Sequence, residues 1–132
     1  MPSTSAPVPD ADSRPYWDGI ARGELLIQHC DDCGRAVFYP RAVCPHCMSA
    51  GLRWRRAAGT GTVYSYTVAH QAYGSHAGDV PFTVALVDLD EGVRMMTRIT
   101  NADRPRIGQR VRVTFTEVAD DLTLPYFTPA DT

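Results

Sequence analysis

Two Cys-x-x-Cys hooks, Cys30-Asp31-Asp32-Cys33 and Cys44-Pro45-His46-Cys47, constrain this chain more than any other feature, and they hold all four of its cysteines. Each hook turns back sharply enough to present two sulfurs to one point, so together they offer four thiolates to a single tetrahedral ion. The alternative, a pair of disulfides, needs an oxidising compartment. Met1 to Ser13 has neither a basic n-region nor an apolar h-region, so reduced thiols and a cytoplasmic location are expected. Zinc is the expected ion and iron its main competitor, because both accept four thiolates. Four protein ligands leave no position open to substrate, so the expected role is structural. His29 and His46 stand beside the hooks and are read as strand or loop residues outside the ligand set.

A chain of 132 residues is about one average domain, or two small ones. A small second unit buries too little apolar surface to offset its chain entropy unaided, and a metal knot supplies the missing stability. Hydrophobic content of 44% and charged content of 21% describe a folded protein, with no run near the ~20 apolar residues that cross a bilayer. A net charge of -2 argues against a protein whose main business is coating nucleic acid. All thirteen basic residues are arginine, and each is suited to forked contacts with phosphate or carboxylate.

Four regions are expected along the chain. Residues 1–14, rich in Pro, Ser, Ala and Asp without periodicity, are read as disordered. Residues 15–23 form a short helix, with Pro15 in the first turn and Gly23 just past the end. Its Tyr16, Trp17 and Ile20 share a face that must bury itself against the ribbon or dock a partner. Residues 24–58 form the ribbon, with short strands at Glu24–His29, Ala36–Tyr39 and Leu52–Arg56.

From residue 59 to 132 the signals are all β. Thr62–His70, Phe82–Leu89, Val93–Thr100 and Arg110–Val118 are rich in Val, Thr, Tyr and Phe, and a fifth strand is possible. Val93, Met95, Thr97 and Ile99 alternate with Arg94, Met96, Arg98 and Thr100, so one face is core and the other arginine-rich. Phe82–Leu89 is apolar on both sides and is expected to be central and covered on both faces. The fold class is therefore mainly β: a short helix, a zinc ribbon and a five-stranded OB-fold barrel, ranked above an SH3-like barrel.

At this point a family resemblance joins the residue reading. It rests on Tyr16-Trp17-Asp18-Gly19-Ile20 with Gly23-Glu24-Leu25, the two hooks, Phe38-Tyr39-Pro40-Arg41, Gly59-Thr60-Gly61-Thr62-Val63-Tyr64-Ser65-Tyr66-Thr67, Ile107-Gly108 and Leu124-Pro125-Tyr126-Phe127-Thr128-Pro129-Ala130. These stretches resemble small acyl-CoA-associated proteins that carry a rubredoxin-like zinc ribbon and an OB-fold. The resemblance implies an accessory subunit of a thiolase-like enzyme acting on acyl-CoA thioesters, in retro-aldol or Claisen-type chemistry that includes steroid side chains.

The expected metal ligands are Cys30, Cys33, Cys44 and Cys47, and the expected docking residues Tyr16, Trp17 and Ile20. Arg94, Arg98, Arg110 and Arg112, joined by Arg104 and Arg106, are candidates for the CoA diphosphate and ribose phosphate, against the plainer reading of a solvated face. The alternative function is a single-stranded nucleic-acid-binding module. From Gly59 to Val118, however, six arginines meet six acids, which leaves no surplus for counterion release. His70, Tyr73, Ser75 and His76 lie where OB-folds often meet ligands, and contact there is expected over independent catalysis.

Overall fold

The computed structural model describes residues 8–73, 77–101 and 104–130. The Asp10 amide donates to Ser13 Oγ at 3.1 Å and the Ser13 amide to Asp10 Oδ1 at 2.8 Å, a reciprocal clasp that sets Ser13 as N-cap of α1 (Arg14–Ala21). The helix ends as Gly23 turns back at φ +82°, a conformation glycine adopts without steric cost.

Eight residues of helix are marginal alone. α1 persists because Tyr16 and Ile20, 3% and 1% exposed, enter the main hydrophobic cluster. Both side chains are therefore largely buried in the chain's own core. Trp17 stays half-buried at the surface.

The ribbon is a three-stranded antiparallel sheet in the order β2-β1-β3, with β1 Leu26–Cys30, β2 Ala36–Val37 and β3 Leu52–Arg56. Cys30 pairs with Leu52 at one end and Leu26 with Arg56 at the other. Gln28 pins the returning loop, its amide group both donating to the Arg41 carbonyl and accepting from the Arg41 amide at 2.8 Å.

Five strands close a barrel in the order β4-β5-β6-β8-β7: β4 Thr60–Ala69, β5 Phe82–Leu89, β6 Arg94–Ile99, β7 Arg110–Ala119 and β8 Leu122–Pro129. β8 is the fifth strand. It runs antiparallel to β7 from Leu122 to Pro129 and meets β6 in parallel at Ile99 and Phe127. The interior holds Val63, Val87, Val111 and Phe127, each at most 1% exposed. Gly61 lets β4 cross β5 closely, since a Cβ there would lie 2.5 Å from the Asp88 carbonyl oxygen.

β6 alternates as expected, Met95, Thr97 and Ile99 inward and Arg94 and Met96 outward. The expectation that β5 is covered on both faces is corrected. Only Thr83, Ala85, Val87 and Leu89 are buried, while Phe82, Val84 and Leu86 are half-exposed on the outer face, beside Met96 at 71% exposure.

Candidate metal centre and ligand surfaces

The ribbon's local geometry gathers the four cysteines. β1 delivers Cys30 at its last residue, and the Gly34 amide returns to the Cys30 carbonyl at 2.9 Å, bending the first hook. In the second hook the Met48 amide donates to the Cys44 carbonyl at 2.9 Å. All four Sγ atoms then lie within 4.8 Å of one another. Cys30 and Cys47 are 3.5 Å apart and Cys33 and Cys44 3.8 Å. A tetrahedral ion with bonds of about 2.3 Å needs sulfur–sulfur edges of about 3.8 Å, so the donor set fits a thiolate-bound ion. The Cys33 amide points at Cys30 Sγ and the His46 amide at Cys44 Sγ, donors that stabilise thiolate charge. The Cys33 amide is the main cause pulling the Cys30 thiol down to about 7, against burial.

The group that gathers is the four cysteines alone among the described residues. His46 Nδ1 sits 3.4 Å from the Arg35 guanidinium. His29 keeps a buried Nδ1 without a partner, and desolvation, with Arg55 adding, pushes its imidazole below the ordinary range.

Two of the candidate arginines, Arg94 and Arg110, are brought into one cross-strand row, and each is paired with an acid. Arg94 opposes Asp88, Asp88 opposes Thr62, and Thr62 opposes Arg110, across β6, β5, β4 and β7. Arg94 forks onto Asp88 at 2.6 and 3.1 Å and lies over the Tyr64 ring at 3.4 Å. Arg110 forks onto Asp90 at 2.8 and 2.9 Å and donates to Thr62. Those donors hold the Asp90 carboxyl down to about 2. Arg112 is exposed beside them.

Arg98 separates from this row. Its side chain is 19% exposed, lies 3.8 Å over Phe82, and meets Asp79 at 3.4 Å. With His70, Thr100, Arg104, Phe82 and Tyr126 it lines a cavity of about 440 Å³ at the barrel mouth. Tyr73 is 80% exposed and does not line that cavity, and Ser75 and His76 lie outside the described residues. Thr100 and Tyr126 were not among the sequence candidates. The only sequence signal for Tyr126 is its place in Leu124-Pro125-Tyr126-Phe127.

A second groove, about 300 Å³, runs between α1, the loop after β2 and the barrel. Tyr16, Trp17, Phe38 and Tyr39 stack edge to face along it at 4.9 to 5.8 Å, with Met96 and Tyr126 opposite. Burial pushes the Tyr16 phenol up, which keeps it neutral.

A four-thiolate knot closing a small antiparallel sheet, followed by a closed five-stranded barrel, defines a rubredoxin-like ribbon joined to an OB-fold. The chain belongs to the DUF35 family. Residues 17–53 match the "ChsH2, rubredoxin-like zinc ribbon domain" and residues 54–116 the "ChsH2, C-terminal OB-fold domain". A solved chain of the Ltp2-ChsH2(DUF35) aldolase is similar at 38% identity and TM-score 0.84, over 93% of this chain and 98% of that one. A DUF35 domain-containing scaffold protein of Methanothermobacter thermautotrophicus is 32% identical over 76% of this chain and 77% of its own length. The 3-oxo-4,17-pregnadiene-20-carboxyl-CoA hydratase alpha subunit of Mycobacterium tuberculosis is 37% identical over 85% of this chain. This chain spans 39% of that subunit's length, and the same share of a hydratase alpha subunit from Thermomonospora curvata. No helix among the described residues is long and apolar enough to cross a membrane.

Proposed function

We propose that this chain is a non-catalytic accessory subunit of an acyl-CoA-processing complex. It binds a thiolase-like partner, contacts the CoA moiety, and supports carbon–carbon bond cleavage or formation of the steroid side-chain retro-aldol type. The observation that carries this reading is the similarity, over 93% of this chain and 98% of the other, to a chain of the Ltp2-ChsH2(DUF35) aldolase. The chemistry of the relatives' names is consistent with it. Hydration of an unsaturated acyl-CoA gives a β-hydroxyacyl-CoA, and retro-aldol cleavage consumes that product.

Cys30, Cys33, Cys44 and Cys47 hold a zinc ion in this reading. A closed thiolate tetrahedron supplies folding energy and leaves no position for substrate. CoA phosphates meet Arg104 and Arg98 at the barrel mouth, Arg98 exchanging Asp79 for phosphate, with Phe82 and Tyr126 offering apolar surface. Arg112 is exposed beside the outer row, whereas Arg94 and Arg110 would have to exchange Asp88 and Asp90 for phosphate. The same pairing reduces the support for nucleic-acid binding, which needs uncompensated cations.

Co-expression with the thiolase-like protein encoded nearest its gene should give one co-eluting complex with acyl-CoA activity. A monodisperse chain that neither binds that protein nor changes its turnover would sink the reading. Calorimetric titration of the complex with CoA should weaken about tenfold on Arg98→Ala with Arg104→Ala. An unchanged Kd would move the phosphate site elsewhere.

A further inference from the structure

We propose that the cleft between α1 and the β7–β8 hairpin receives an arginine side chain from an extended basic segment of a partner protein. This cleft, about 460 Å³, is walled by Pro9 and Trp17 on one side and by Glu117, Asp120, Asp121 and Leu122 on the other. It shares no residue with the barrel-mouth cavity and does not depend on the acyl-CoA reading.

The first observation is charge. Asp79, Asp88 and Asp90 each meet an arginine. The side chains of Glu117, Asp120 and Asp121, which line the cleft, have no hydrogen-bond or ion-pair partner among the described residues, although Glu117 pairs through its backbone with Thr123. Three like charges on one hairpin repel each other, and an incoming cation relieves that repulsion. Asp121 holds φ +61° at the turn, which fixes where the hairpin presents its acids. The second observation is Trp17. An indole face is the strongest cation–π surface among side chains. The Trp17 ring is half-buried and lines the cleft with Pro9. The third is shape. Apolar surface from Pro9, Trp17 and Leu122 faces carboxylates across one cleft, which matches a side chain with an aliphatic stem and a charged, planar head. Arginine fits better than lysine because the guanidinium stacks on the ring while forking onto two carboxylates.

The test uses the full chain loaded with zinc and ¹⁵N-labelled, titrated with acetyl-Gly-Arg-Gly-Arg-Gly-amide and with its lysine and citrulline counterparts. The Trp17 indole N–H signal, assigned with Trp54→Phe, and the amides of residues 117–123 should shift saturably with the arginine peptide. The lysine peptide should bind more weakly and the citrulline peptide should leave those signals in place. Glu117→Gln and Asp121→Asn should each weaken binding roughly two- to fivefold. Asn at 121 tolerates the positive φ, so an unchanged amide spectrum elsewhere separates lost binding from lost fold. Equal shifts with citrulline, no saturation by about 10 mM peptide, or shifts confined to the barrel mouth would each overturn the proposal.

Discussion

Ribbon and barrel offset the same chain entropy with different interiors. The ribbon's own cluster is Cys30, Val37 and Cys44 with Leu52 packed against it, so its centre is largely sulfur. The barrel is filled by Val63, Val87, Val111 and Phe127, with ladders that run eight registered pairs between β7 and β8. The ribbon's centre is four cysteines placed to bind a metal, whereas the barrel rests on apolar burial. They are not independent, because Tyr16, Ile20, Leu25 and Ile27 belong to the barrel's cluster. One face of the ribbon region therefore packs into the larger core, while its metal knot stands outside it.

Removing the ion should separate the two most sharply. Thiolate sites of this kind carry roughly 10–16 kcal/mol of apparent binding energy. Chelation, or Cys44→Ser, should therefore erase protection of the ribbon amides in hydrogen exchange while β4–β8 stay protected. Retained ribbon protection would show that packing, and not metal, holds the sheet. Phe127→Ala, at a fully buried site, should cost about 3–5 kcal/mol in urea unfolding. A cost near zero would mean that the barrel core is not what holds this region. Gly61→Ala places a Cβ against the Asp88 carbonyl and should cost roughly 1–3 kcal/mol, with the loss confined to β4 and β5.

The smallest expected effect is acid sensitivity at Asp90. Its folded pKa, about 2, lies below the ordinary carboxyl value of 3.8, so its contribution is present above pH 4 and is lost as pH falls toward 2. With Arg110 and Asp90 side chains 40% and 43% exposed, the pair is worth under about 1 kcal/mol. Asp90→Asn should flatten that part of the stability curve, and an unchanged curve would assign acid loss to other carboxylates.

The hooks were readable because metal spacing is local in sequence, and β6 because alternation records which side faces the core. β8 was harder to see. Pro125 and Pro129 blur its strand pattern, although both fall within the strand's pairing to β7. The outer face of β5 misled for another reason: Val84 and Leu86 look like covered residues, but exposure of an apolar side depends on what packs there. The pairing of Arg94 with Asp88 and Arg110 with Asp90 was invisible until register was known, since alternation places charges on a face without saying which touch. The barrel-mouth cavity combines β4, β5, β6 and β8 residues that are far apart in sequence. The burial of Tyr16 and Ile20 follows from a neighbour, the barrel, that a helix pattern cannot name.

The barrel's closure is unequal around its circumference. β6 and β8 are joined by one registered pair, Ile99 with Phe127, supplemented by the Thr100 amide donating to the Phe127 carbonyl at 2.7 Å, the Thr97 hydroxyl donating to the Pro125 carbonyl at 2.7 Å, and the longer Asn101–Thr128 side-chain contact. A cylinder closed by so short a row of bonds has a seam, and thermal opening begins where the fewest bonds must break together. The aromatic groove lies across that seam, touching Thr97 on one bank and Pro125 on the other. Whatever grips both banks acts as a rivet, and its arrival would register as slowed opening of the whole cylinder.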